Sequence, residues 1–263
     1  MQRQAALVTG ASGGLGLAIA TLLAERSIDL VLVSRTEKKL AALARDLSKR
    51  FGITAHVMPA DLSKPSAAQD IFRACRKKGL RIDMLINNAG AGIAGEHLAM
   101  DEDSIDAMIR LNVNALTALC MLFGREMKAR KSGMILNIAS LVSQLPMPFF
   151  TAYGATKAYV VSYSRALRSE LRSFGVSVTC VLPGFIDTGF EKSAGLKSPS
   201  YSRMAKSLGM SADAVARACV RAMFRRKALS VAGFMNRIAY FLIKFIPKQF
   251  LSNMAYRAMK RYF

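Results

Sequence analysis

A short apolar run, Ala5 to Val8, leads straight into Thr9-Gly10-Ala11-Ser12-Gly13-Gly14-Leu15-Gly16 and then into a helical pattern through Leu17, Ile19, Leu22 and Leu23. Strand, glycine turn and helix in that order leave few architectures open, because the chain must reverse tightly and lay the helix back on its own strand. Gly10 permits the turn, Gly16 allows close packing of helix on strand, and Gly14 lets a ligand approach the backbone. A helix N-terminus behind such a turn offers unpaired N–H groups and the positive end of the helix dipole, which together seat a pyrophosphate. A glycine-rich turn by itself is equally an ordinary loop. Set between a strand and an amphipathic helix, it points to a dinucleotide site.

The ends of the next strands extend that reading. Leu30 to Val33 runs into Ser34-Arg35-Thr36, with no acid until Glu37. In a dinucleotide fold this point lies beside the adenosine ribose, where a carboxylate would accept from the 2′-hydroxyl and an arginine would suit a 2′-phosphate. NADP(H) is therefore expected over NAD(H), unless Arg35 is simply a solvated surface residue. Ala55 to Met58 leads to Ala60-Asp61-Leu62-Ser63, where Asp61 either meets an adenine edge or caps the helix that starts near Pro65. Asp83 to Ile86 leads to Asn87-Asn88-Ala89-Gly90, a loop that would lie over a cofactor or a turn that uses Asn and Gly for their backbone tolerance.

The chemistry is expected between Gly133 and Tyr159. Met134 to Ile138 reads as a covered parallel strand, which places Ser140 near its carboxyl end. Tyr153 and Lys157 follow on a predicted helix, and positions i and i+4 share a helix face. A nearby cation lowers a phenol's pKa from about 10 toward the working pH, as general acid/base catalysis needs. A hydroxyl from Ser140 would donate to the same substrate oxygen. Together the three groups would let a carbonyl oxygen take a proton while its carbon takes a hydride.

With these pieces in order the chain resembles the short-chain dehydrogenase/reductase family. The marks are the TGxxxGxG turn at Thr9 to Gly16, the NNAG loop at Asn87 to Gly90, Asn112, Ser140, the YxxxK pair Tyr153 and Lys157, and Pro183-Gly184 with Thr188 after it. The match covers roughly residues 5 to 232. The resemblance implies an α/β fold, a Rossmann-type doubly wound parallel sheet of about seven strands in a single domain. It also implies roles: Tyr153 as acid in reduction and base in oxidation, Lys157 lowering its pKa and holding the nicotinamide ribose, Ser140 orienting the substrate oxygen, and Asn112 holding a relay water. Cofactor contacts are implied for Thr9, Gly10, Ser12, Gly14, Leu15 and Gly16 in the turn, and for Ser34 and Arg35 at the 2′-phosphate. Asp61 and Leu62 at the adenine and Asn88, Ala89 and Gly90 near the adenosine half continue the set, with Pro183, Gly184, Ile186 and Thr188 at the nicotinamide end. The family's NADP-preferring members often carry a basic residue where this chain has Gly13, so the cofactor expectation rests on Arg35. Asn114 competes with Asn112 on the same predicted apolar helix, which does not by itself choose, and the family pattern selects Asn112. A homodimer or homotetramer, and a small carbonyl or alcohol substrate, are further implications. A rival reading keeps the fold as a nicotinamide-binding regulator without turnover.

The remaining expectations come from composition. No Pro/Gly/Ser linker divides the 263 residues, and Cys75, Cys120, Cys180 and Cys219 are scattered like reduced, buried thiols. With only His56 and His97 as histidines, no metal site is expected. The chain enters an apolar strand almost at once, so no signal peptide is expected and the location is read as cytoplasmic. The net charge of +21 comes without a nucleic-acid motif, and no nucleic-acid partner is expected. Residues 190–210 read as a mobile polar lid, and Phe149, Phe150, Phe185 and Phe190 as an apolar wall for a hydrophobic substrate. Beyond a helix near 211–226 and a strand near 228–232, residues 233–263 form a basic, amphipathic helical extension. It is too short in its apolar runs to span a bilayer. It would lie on an anionic membrane surface as a peripheral contact, pack on a neighbouring subunit, or roof the substrate pocket.

Overall fold

The computed structural model describes residues 3–190, 194–196 and 198–263, with Ser202 described by its backbone alone. The strands β1 (Ala5–Thr9), β2 (Asp29–Ser34), β3 (Ala55–Pro59), β4 (Met84–Asn87), β5 (Gly133–Ile138), β6 (Val176–Leu182) and a last strand (Leu229–Val231) form one parallel sheet. Its order is β3-β2-β1-β4-β5-β6 followed by that last strand. Alternation along each strand splits the core in two. Ala6, Val8, Leu30, Leu32, Met84, Ile86 and Leu136 face α1 (Gly14–Ala24) and α2 (Glu37–Phe51). Leu7, Val31, Val33, Leu85 and Ile135 face α3 (Ala67–Lys77), α5 (Leu116–Ala129) and α6 (Thr151–Leu171). Side chains of successive strand residues point to opposite faces, so a strand covered on both sides must be apolar throughout.

The order of strands reverses between β1 and β4. At such a switch point the loops leaving the two strands' carboxyl ends diverge and open a crevice. Ala6 pairs with both Leu30 and Met84, which puts the glycine turn after β1 directly beside the Asn87–Gly90 loop after β4.

Two elements depart from the sequence reading. The apolar helix expected through Asn112 is interrupted: α4 (Glu102–Ile109) and α5 flank a π-helical turn over Arg110–Ala115. Residues 191–193 and 197 of the expected lid lie outside the described residues, and its later part is α7 (Pro199–Leu208), capped by Ser198 Oγ accepting from the Tyr201 amide. A two-stranded ribbon, β7 (Ile186–Asp187) with β8 (Met210–Ser211), closes this insertion before α8 (Ala212–Phe224), which packs in the face of α1 and α2. The Leu229–Val231 strand, β9, is followed by α9 (Phe234–Ile243) and α10 (Lys248–Met259).

Candidate active site

Tyr153 and Lys157 sit one turn apart on α6, and both are buried. The spacing continues through Val160 and Ser164, a stripe that faces the sheet. Lys157 Nζ donates to the Ile138 carbonyl at 3.1 Å, tying the helix to the end of β5 two residues before Ser140. Below it, Asn87 Nδ2 donates to Asn137 Oδ1 at 2.9 Å, Asn137 Nδ2 to Ser164 Oγ at 2.9 Å, and Ser164 Oγ to the Val160 carbonyl at 2.6 Å. This buried chain of hydrogen bonds crosses β4, β5 and α6 and fixes the register of the helix that carries the phenol.

The charge states differ from the expectation. Burial pushes the Tyr153 phenol up to about 12, and only a hydrogen bond with Ser140 works the other way. Burial likewise pulls the Lys157 ammonium down to about 8. The ammonium lies 5.9 Å from the Tyr153 ring centroid and is directed at the Ile138 carbonyl. Desolvation dominates at both groups, and the expected lowering of the phenol's pKa by Lys157 is not what this geometry gives.

Asn112 is brought to the same place by the π-turn, which rotates it inward. Its Oδ1 accepts from the Ala91 amide at 2.9 Å, and its Nδ2 donates to the Ala91 carbonyl at 2.8 Å and to Thr156 Oγ1 at 3.1 Å. A Cβ on Gly90 would stand 3.2 Å from both Asn112 Oδ1 and Lys157 Nζ, so the three positions converge on one point. Asn114 is exposed and lines a separate groove of about 230 Å³ with Leu62, Lys64 and Arg110. The two asparagines thus point in different directions, Asn112 toward α6 and Asn114 away from it.

The crevice fits a dinucleotide. Gly10 and Gly14 have φ of +68° and +53°, and a Cβ on Gly16 would stand 2.2 Å from the Gly10 carbonyl oxygen. Gly13 and Gly14 are exposed, and a Cβ on Gly13 would meet nothing within 4 Å, which leaves the turn's backbone open to a phosphate. Thr188 closes over the turn, 3.2 Å from where a Cβ on Gly14 would be. Ser12 and Leu15 share the mouth of the turn, Ser12 half-buried and Leu15 buried. Two of the residues expected at the cofactor hold the crevice together by hydrogen bonds within the protein. The Thr9 hydroxyl donates to the Ile86 carbonyl and accepts from the Asn88 and Ala89 amides, while Asn88 Nδ2 donates to the Thr9 carbonyl. They brace the two loops of the crevice against each other. Past β2 and β3, Arg35 is exposed; the Ser63 hydroxyl holds the Asp61 carboxyl below the usual range, with Arg35 and Lys64 adding to the effect. Pro183 accepts from the Leu141 amide at 2.8 Å, Ile186 pairs with Met210, and Gly184 lies against Asn236 of α9.

Around the phenol stands a third apolar cluster. Phe150 and Phe190 lie 6.0 and 5.5 Å from the Tyr153 ring, and Met108, Leu196, Tyr201, Phe149 and Phe185 complete the wall. The C-terminal extension, for which a place over the substrate pocket was one expectation, adds Met259 and Tyr262 to this cluster, two residues that sequence reasoning did not name. Phe149, with φ of +64°, stacks on Tyr256 at 5.6 Å and on Phe263 at 4.8 Å.

Residues 4–198 match the sequence profile of the short chain dehydrogenases. The chain belongs to this family of oxidoreductases. Among short chain dehydrogenases it is 34% identical over 202 residues to the very-long-chain 3-oxoacyl-CoA reductase of Anas platyrhynchos, an alignment covering 75% of this chain and 64% of that protein. It is 33% identical over 193 residues to the 17-beta-hydroxysteroid dehydrogenase type 3 of Homo sapiens, covering 72% of this chain and 61% of that one. The chain thus spans less than two thirds of these relatives' length. A short-chain dehydrogenase from Sphingobium yanoikuyae, solved in complex with NADPH, superposes with a TM-score of 0.81 at 31% identity, covering 93% of this chain and 96% of that one.

Proposed function

We propose that this short chain dehydrogenase is an NADP(H)-dependent enzyme that moves hydride between the nicotinamide and the carbonyl or alcohol carbon of an apolar substrate. The observation that carries the reading is the hydrogen bond between Ser140 and the buried Tyr153 phenol, with Lys157 one turn along the same helix and tied to the carboxyl end of β5. When bound, the reduced nicotinamide supplies hydride to the carbonyl carbon. The Tyr153 hydroxyl donates its proton to the carbonyl oxygen as charge develops there, and Ser140 donates a hydrogen bond to the same oxygen. Burial keeps the phenol protonated at neutral pH, the state that reduction requires. Lys157, by donating to the Ile138 carbonyl, holds the helix that carries the phenol at the end of β5, and Asn112 holds the Ala91 loop against α6.

Arg35, placed beyond β2, supports NADP(H), as does the NADPH bound by the Sphingobium relative. The aromatic and methionine wall around Tyr153 supports a substrate with a large apolar body, in keeping with the acyl-CoA and steroid substrates in its relatives' names. Tyr153→Phe tests the assignment. Turnover of apolar ketones should fall by about 10²- to 10⁴-fold, the usual worth of a positioned acid, while quenching of the variant's fluorescence by NADPH stays as in the wild type. Undiminished turnover would remove Tyr153 from the reaction.

A further inference from the structure

The last thirty residues present two faces of opposite use. On α9, Asn236, Tyr240 and Ile243 turn inward: Asn236 donates to the Ala232 carbonyl, and the Tyr240 hydroxyl accepts from Arg165. Phe234, Ile238, Phe241, Leu242 and Phe245 lie on the opposite side of the same helix turns, and are 73, 39, 59, 53 and 71% exposed. A helix on a protein surface ordinarily buries its large apolar residues and shows its polar ones. Here the arrangement is inverted. On α10 the division repeats, with Met259 buried in the cluster around Tyr153 while Phe250 and Met254 face out at 57 and 53% exposure.

Six cations are interleaved with these residues, Arg237, Lys244, Lys248, Arg257, Lys260 and Arg261, and no Asp or Glu follows Asp213. The helices have ten and twelve residues, about 15 and 18 Å at 1.5 Å per residue. Neither reaches across a hydrocarbon layer of about 30 Å. The stretch Glu102–Ala129 is long and apolar enough to do so, but its Leu119, Phe123 and Met127 are buried in the core.

We propose that the outer face of α9 and α10 seats on an anionic lipid bilayer, with the apolar side chains at the level of the acyl chains and the cations among the headgroup phosphates. Charge complementarity selects this occupant. A second copy of the same face, paired about a two-fold axis, would set the cations of one against those of the other. A nucleic acid would satisfy the cations and leave Phe234, Ile238 and Leu242 in water. An anionic bilayer satisfies both sets at once.

The experiment is co-sedimentation of the full chain with vesicles of phosphatidylcholine alone and of phosphatidylcholine with phosphatidylglycerol. The wild type should bind the anionic vesicles, release as salt is raised, and bind the neutral ones weakly. Phe241→Ser with Phe245→Ser, which removes two exposed rings packed on each other, should lower the partition coefficient about tenfold or more with an unchanged circular dichroism spectrum. Lys244→Glu with Lys260→Glu should lower it on anionic vesicles only. Three results would overturn the proposal: a wild type that stays in the supernatant with anionic vesicles, a phenylalanine variant that binds as the wild type does, or a solution dimer that this variant dissociates while vesicles capture no chain. The readout does not involve turnover, so it stands apart from the proposed reaction.

Discussion

Lys157 is a cation held where a cation is costly. Its pKa of about 8, against 10.5 for an exposed lysine, means that between these values the unfolded chain binds the proton more readily than the folded one. Stability therefore rises with pH across that window, and below about pH 8 the full desolvation penalty is present. Tyr153 acts in the opposite sense only above pH 10, where its raised pKa makes the folded chain the better proton binder. Between pH 8 and 10 the lysine acts alone among the two. In urea unfolding, the wild-type midpoint should rise from pH 7 to pH 9 by more than that of Lys157→Met. At pH 7 the methionine variant should be more stable by about 1 to 2 kcal/mol while losing turnover. A variant less stable than the wild type at pH 7 would show that the Ile138 hydrogen bond outweighs the desolvation.

At the scale of elements, the segment before α6 depends on the chain's last helix. Phe149 holds a left-handed backbone conformation that a non-glycine residue adopts at a cost of about 1 to 3 kcal/mol, and the stacked rings of Tyr256 and Phe263 hold it there. Phe149→Gly relaxes the backbone and removes the ring on which α10 rests. Global stability should change by less than about 1 kcal/mol, because the two effects oppose. Trypsin should cut after Arg257 and Lys260 several times faster than in the wild type, read by mass spectrometry of the released peptides. Equal cleavage rates would mean that the stacking does not hold α10 down. This dependence was not legible in the sequence. Phe149, Phe150, Phe185 and Phe190 are near the motif in the chain and were readable as its wall, whereas Met259 and Tyr262 lie more than a hundred residues from Tyr153, with no periodic signal linking them. The π-turn that directs Asn112 inward was hidden for a different reason, since an extra residue in one helical turn leaves the hydropathy pattern almost intact.

For the molecule as a whole, individual strands were legible because strands covered on both faces must be apolar, and the first strand, turn and helix because the glycines need that order. The doubly wound sheet followed from the family resemblance, and its switch point emerges from the strand order. What joins the halves of the crevice, Thr9 and Asn88, was legible as residues, but the bonds by which they brace it were not, since sequence does not tell a ligand contact from a brace. A cofactor bound across this switch point stabilises the native sheet by mass action. NADPH at about 100 times its dissociation constant should contribute about 2.7 kcal/mol and raise Tm by about 5 to 10 °C, with NADH at equal concentration giving less. Equal shifts from the two would remove the role given to Arg35. The residues expected at the nucleotide crevice end with Thr188, but the wall around Tyr153 is complete only with Met259 and Tyr262. Crevice and chamber are therefore closed by different parts of the chain, so that loss of the last turn should unseal the chamber while leaving the glycine turn on its strand.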